Sequence, residues 1–156
     1  GNPREDHEDI AMKISSELSR FGELRVGHEL PQRVFECGNV QLMLYNASLW
    51  NGHRIHFDEP YAREVEGYPG LVLAGPMLGD WLHQCVEEWL EDDGRILSID
   101  YSNRVATYVD EKLFSGGTVT AIRAESGEAE VDVFIKNAEG TVVTPGKVVV
   151  RFGESW

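Results

Sequence analysis

Between Pro76 and Gly94, apolar residues arrive in adjacent pairs on a four-residue beat: Met77-Leu78, Trp81-Leu82, Cys85-Val86 and Trp89-Leu90. That spacing gathers all four pairs on one broad face of an α-helix. Pro76 suits the first helical turn, where a backbone N–H has no intrahelical partner to lose. Asp92-Asp93-Gly94 ends the run, so the spacing predicts a helix over 75–92. A helix with this much apolar surface must be covered by a sheet or by another helix. The chain after Gly94 supplies strands. Ile96–Tyr101 and Thr118–Arg123 are two candidates. Glu130–Lys136 alternates apolar and charged residues, as a half-buried strand does. The turn Asn137-Ala138-Glu139-Gly140 leads into Thr141–Thr144 and then Lys147–Phe152. Consecutive hairpin-linked strands imply an antiparallel sheet, and one long helix before them implies an α+β domain with the sheet wrapped around that helix.

The earlier segments are less regular. Residues 24–40 read as extended, and Val40–Trp50 as a helix turning into a loop. Pro60–Val65 reads as a short helix closed by the turn residues Gly67-Tyr68-Pro69-Gly70. Residues 1–23 form a polar, acidic lead-in. Ile10, Ile14, Leu18 and Phe21 recur there at roughly helical spacing, so we expect a helical extension over 1–23 and a single domain over 24–156.

Charge and cysteine usage narrow the partners. Acids outnumber bases by 27 to 14, for a net charge of −13. A nucleic-acid binder needs a basic footprint, so neither nucleic acid nor an anionic membrane is expected as a partner. No apolar run approaches membrane-spanning length, and Gly1–Asp6 lacks a secretory pattern. Cys37 and Cys85 are too few for a disulfide framework, so a reducing cytoplasm is the expected location.

Chemistry concentrates in Asn51-Gly52-His53-Arg54-Ile55-His56-Phe57-Asp58. Two histidines lie three apart, and imidazole is the side chain best suited to proton transfer near neutrality. Asp58 is placed to cap the short helix near Pro60. The His-x-x-His spacing also suits a metal, but no third ligand is placed by spacing, and ordinary loop histidines fit it too. A second feature is Gly70–Pro76, an apolar run that meets a helix start at Gly75. Backbone N–H groups at such a start attract partial negative charge, although Gly75 would also serve a simple tight turn.

Taken together, Trp50–Ala62 and Glu64–Leu78 resemble the MaoC-like hydratase family, nearest its branch of type 2 hydroxyacyl-thioester dehydratases and mesaconyl-CoA hydratases. Thr144–Val150 is similar to the same branch, and the likeness covers about residues 24–153. The resemblance implies a hot-dog fold, with a curved antiparallel sheet around the long helix. It also implies addition of water to 2-enoyl thioesters, or the reverse, with coenzyme A or an acyl carrier as part of the substrate and no further cofactor or metal. In the family's Asp-x-Asn-Pro-x-His motif, the His falls on His56, the Pro on Arg54, the Asn on His53 and the Asp on Asn51. The glycine that donates its N–H to the thioester carbonyl falls on Gly75, and the His usually before it is Ala74 here. Asn51 is the departure that matters, because an amide can position water but cannot exchange a proton at neutral pH. The comparison branch tolerates Asn-x-His-x-Ile-His. His56 is therefore expected to carry proton transfer, with Asn51 and His53 as companions.

Alternatives stay open on the sequence. A thioesterase on the same fold would want a carboxylate such as Asp80 or Glu64. A non-catalytic subunit would bind acyl-CoA or complete a partner's site. The resemblance implies a homodimer, or a heterodimer with another hot-dog subunit. Arg54, Arg104, Lys136 and Lys147 are candidate cations for coenzyme A phosphates, and spacing selects none of them.

Overall fold

A computed structural model describes residues 20–153. The elements are β1 (Glu29–Phe35), α1 (Asn39–Ser48), a single 3₁₀ turn (Arg54–His56), α2 (Glu59–Glu64), α3 (Gly75–Leu90), β2 (Gly94–Tyr101), β3 (Leu113–Arg123), β4 (Glu128–Lys136) and β5 (Val142–Phe152). The five strands form one antiparallel sheet in the order β1-β3-β4-β5-β2.

The paired apolar residues of α3 do what their spacing requires. Met77, Leu78, Trp81, Leu82, Cys85, Val86, Trp89 and Leu90 are all buried. The helix touches every strand of the sheet. From the sheet side the core is filled by Leu113, Val119, Val131, Ile135, Val148 and Val150. Trp81 stacks on Phe35 of β1 with ring centroids 4.6 Å apart. A single long helix held inside a curved antiparallel sheet is the hot-dog arrangement.

Two close approaches set how α3 sits. At Gly79, a Cβ would fall 2.2 Å from the Tyr101 ring, so only glycine lets the β2 edge close over the helix. At the far end, Arg20 donates to the Leu90 carbonyl at 2.8 Å and to that of Trp89, and it pairs with Asp93 at 2.5 Å. It thereby supplies donors to carbonyls that the end of a helix leaves unpaired. Residues 20–23 are helical, and Phe21 packs on Phe152 at 5.4 Å. The expected helical extension over 1–23 otherwise lies outside the described residues.

Several expectations change in detail. The helix ends at Leu90, because Glu91 adopts a positive φ of 53°. The pieces 141–144 and 147–152 are one strand, paired with β4 straight through Phe134↔Pro145 and Val133↔Gly146. Pro145 has no N–H to give, and its carbonyl accepts from Ser102 N at 3.1 Å. The apolar run 70–75 makes only an isolated bridge, Val72↔Tyr108. β2 lies beside β5, at the opposite edge from β1. Among the described residues, no helix is long and apolar enough to cross a membrane.

Overpacking a tight core contact costs about 1–3 kcal/mol. Gly79→Ala is expected to destabilise the domain by about that much in urea unfolding. The loss should shrink in a Tyr101→Ala background, because the two residues share the contact.

Candidate functional site

The loop from Asn51 to Asp58 is held by its own backbone. Asn51 N–H donates to the Asn46 carbonyl at 2.9 Å, anchoring the loop to the end of α1. His56 N–H donates to the His53 carbonyl at 3.2 Å, and Asp58 N–H to the Arg54 carbonyl at 2.8 Å. Asp58 then caps α2, its Oδ1 accepting from Tyr61 N at 3.1 Å as its position predicts. The Arg54 guanidinium beside Asp58 holds that carboxyl below the usual carboxylate range.

His56 is buried, with 6% of its surface exposed. Its Nδ1 lies 2.7 Å from the Val72 carbonyl oxygen. A carbonyl can only accept, so Nδ1 carries the hydrogen and Nε2 presents a lone pair. Burial pushes the imidazole below its ordinary value of 6.5. The Val72 bond opposes that shift, and the neighbouring His53 adds to it. The same residue is gripped twice, since Val72 N–H donates to the Ile55 carbonyl at 3.0 Å. On its other side, Leu73 N–H donates to the Thr107 carbonyl at 2.8 Å and Val109 N–H to the Leu71 carbonyl at 3.1 Å. Residues 71–73 are thus clamped between the histidine loop and the segment 107–109, and two residues further on the chain reaches Gly75, the first residue of α3.

The predicted residues are placed as follows. His53 is exposed, its ring edge-on to that of His56 with centroids 5.7 Å apart. Asn51 is half-buried, and its Oδ1 accepts from the His53 backbone N–H at 3.2 Å. Gly75 N–H opens a helix and so has no carbonyl four residues back within it. No acidic side chain stands in the first turn of α3 to offset that positive end. Ala74 is fully buried, so it leaves no polar group just before Gly75. Asp80 is exposed, and its carboxylate accepts the Tyr45 hydroxyl at 2.7 Å. Glu64 is exposed at the end of α2. Among the four candidate cations, Arg54 pairs with Asp58 at 2.7 Å and lies over the Tyr61 ring. Lys147 lies 3.8 Å from Asp132, and Lys136 lies over the Phe134 ring. Arg104 donates to the Ser102 hydroxyl at 3.4 Å. Among the described residues, no group of three or more His, Cys, Asp or Glu side chains is arranged to hold a metal.

Two groups at the site escape a reading of the sequence. The Val72 carbonyl is backbone, so no residue type announces it. Asn103 follows β2 with nothing around it to suggest a role, yet its Nδ2 would lie 2.6 Å from a Cβ on Gly75.

The family model for hydroxyacyl-thioester dehydratase type 2 matches residues 16–109, which include the histidine loop, Gly75 and Asn103. The chain belongs to this family. A relative in Chloroflexus aurantiacus, mesaconyl-C(4)-CoA hydratase, is 54% identical over 37 residues, which are 24% of this chain and 13% of that protein. The mitochondrial hydroxyacyl-thioester dehydratase type 2 of Saccharomyces cerevisiae is 35% identical over 63 residues, 40% of this chain and 22% of that one. The matched stretches therefore span less than a quarter of either relative. In fold, the chain is similar to the ChsH1-ChsH2 complex from Mycobacterium tuberculosis. The TM-score is 0.74 at 19% identity, covering 83% of this chain and 98% of the chain matched.

His56 should titrate below 6.5, and its neutral form should be the Nδ1–H tautomer; nitrogen-15 NMR of the imidazole reads both. The sign for stability follows from burial. Between the folded and unfolded values the unfolded chain binds more protons. Stability contributed by neutral His56 is thus full above 6.5 and is lost as pH falls from there through the folded value.

Proposed function

We propose that this domain hydrates 2-enoyl thioesters to 3-hydroxyacyl thioesters, and catalyses the reverse, with His56 as general acid and base. The observation that carries this reading is the buried imidazole whose Nδ1 is tied to the Val72 carbonyl. That bond leaves Nε2 as the acceptor, and burial keeps the ring neutral near pH 7. Membership of the dehydratase family and the names of the two curated relatives support the same chemistry.

In the hydration direction, Nε2 takes a proton from water as the oxygen bonds to C3 of the enoyl group. The C2–C3 π pair moves toward the thioester, and negative charge grows on its carbonyl oxygen. Gly75 N–H, at the positive end of α3, stabilises that charge. The imidazolium then returns the proton to C2, and the base is regenerated. Asn51 cannot take part in proton transfer. Its oxygen fixes the loop through His53 N–H, and its amide nitrogen makes no hydrogen bond among the described residues, which leaves it for the attacking water. His53, edge-on to His56, is placed to pass protons to solvent. The side chains and the helix start supply all of these steps, and we assign no cofactor beyond the coenzyme A or carrier borne by the substrate. The net charge of −13 favours coenzyme A over an acidic carrier protein.

We also assign the functional unit to a pair of hot-dog domains, either two copies of this chain or this chain with a related subunit. The similar Mycobacterium tuberculosis structure is itself a complex of two proteins. Cys37 and Cys85 are both buried and unpaired, which suits a reducing compartment such as the cytoplasm. The Saccharomyces cerevisiae relative is named as mitochondrial.

Loss of a general base costs about 100- to 10,000-fold in rate. His56→Ala should lower enoyl-CoA hydration by that range, followed by absorbance of the conjugated thioester, while circular dichroism stays unchanged. A variant that retained wild-type turnover would end the proposal. For the wild type, kcat/KM should fall on the acid side with an apparent pKa below 6.5, because protonated His56 cannot accept.

A further inference from the structure

Asn103 places a donor where helix electrostatics would ordinarily place an acceptor. Its Nδ2 lies so close to the first residue of α3 that a Cβ on Gly75 would meet it at 2.6 Å. Its Oδ1 accepts from the Thr144 hydroxyl at 2.9 Å, and Thr144 is fully buried. That bond occupies the amide oxygen and turns the NH2 toward Gly75. Among the described residues, Nδ2 itself makes no hydrogen bond. The start of a helix carries partial positive charge, and the side chains that serve it by capping do so with oxygen. An amide NH2 beside the open N–H groups of a helix start, with no acid in the first turn, favours an acceptor there.

We propose that Asn103 is the second hydrogen-bond donor to the thioester carbonyl, acting beside Gly75 N–H. This rests on the thioester reading above. A developing enolate oxygen has lone pairs for two donors, and pre-aimed donors stabilise it without reorganisation. Asn103 touches the substrate oxygen, and Thr144 is a positioning residue that keeps the amide from rotating. Glycine at 75 then serves two ends, since its bare Cα leaves room for the Asn103 amide.

The experiment compares wild type, Asn103→Ala, Asn103→Asp and Thr144→Val. Asn103 is exposed, so its variants should fold. Enoyl-CoA hydration gives kcat/KM. The carbonyl stretch of bound butyryl-CoA, which cannot be hydrated, gives the strength of the hydrogen bonds to the thioester by carbon-13-edited infrared difference spectroscopy. Asn103→Ala should lower kcat/KM roughly 100-fold, as loss of one such donor does elsewhere, and raise the carbonyl frequency. Thr144→Val should move the band in the same direction by less. Asn103→Asp should keep or raise Tm, because a carboxylate suits a helix start, yet lose activity by repelling the enolate.

An amide turned the other way, capping α3 through its oxygen, would give the opposite pattern: Asn103→Ala would lower Tm without moving the band, and Asn103→Asp would stay active. That pattern, or unchanged kcat/KM with an unmoved band in Asn103→Ala, overturns the inference alone. A wild type that neither binds butyryl-CoA nor hydrates enoyl-CoA overturns the thioester reading and this inference together. A wild type that binds butyryl-CoA without hydrating enoyl-CoA removes only the hydratase activity, and the infrared shift still decides the role of Asn103.

Discussion

Nine of the 16 residues of α3 are buried, and the sheet packs around them with every one of its strands. Covering a helix on one broad face is work for several strands at once, and each of the five meets it. Burying a large aliphatic or aromatic side chain contributes about 1.5–3 kcal/mol, so this single helix accounts for much of the apolar drive to fold. It also fixes the functional geometry. The end of α3 that emerges at Gly75 is the end where the histidine loop and the segment after β2 arrive. The helix that organises the core is therefore the helix whose open N–H groups lie at the candidate site.

The site is built outward from that end by backbone pairing. Residues 71–73 connect to Ile55 and His56 on one side and to Thr107 and Val109 on the other. Among the described residues, no charged side chain holds the imidazole in place. The charged groups of the loop, Arg54 and Asp58, satisfy each other and the start of α2 at the surface. The imidazole is thus separated from the acidic exterior by position. Its proton affinity is set chiefly by burial rather than by a carboxylate partner.

Much of this was legible in the residues. The paired apolar beat of α3 and the alternation Val131, Val133, Ile135 along β4 are local patterns, and each is reproduced in burial. The placement of β2 beside β5 was not legible, since strand order depends on which edges remain open after three hairpin-linked strands have paired. His56 could be singled out only as one of two loop histidines until the family likeness distinguished it. What separates it from His53 is burial, which is decided by residues 71–73 folding back over the loop. Asn103 was invisible for a related reason. Its neighbours in space, Gly75 and Thr144, lie 28 and 41 residues away along the chain, and no periodicity links them.

The grip on His56 comes from a carbonyl, and that shapes how such a site can vary. The oxygen at position 72 is presented by the main chain whatever side chain stands there. Selection for a correctly aimed imidazole therefore places no demand on the chemical identity of residue 72. It demands only that the peptide stay clamped between its two neighbouring segments. Valine at that position is free to answer to the packing of Ile55 and Ala62 beneath it. A lineage of such domains could drift there in side-chain size while keeping the imidazole fixed, and a search for invariant residues would pass over the group that orients it.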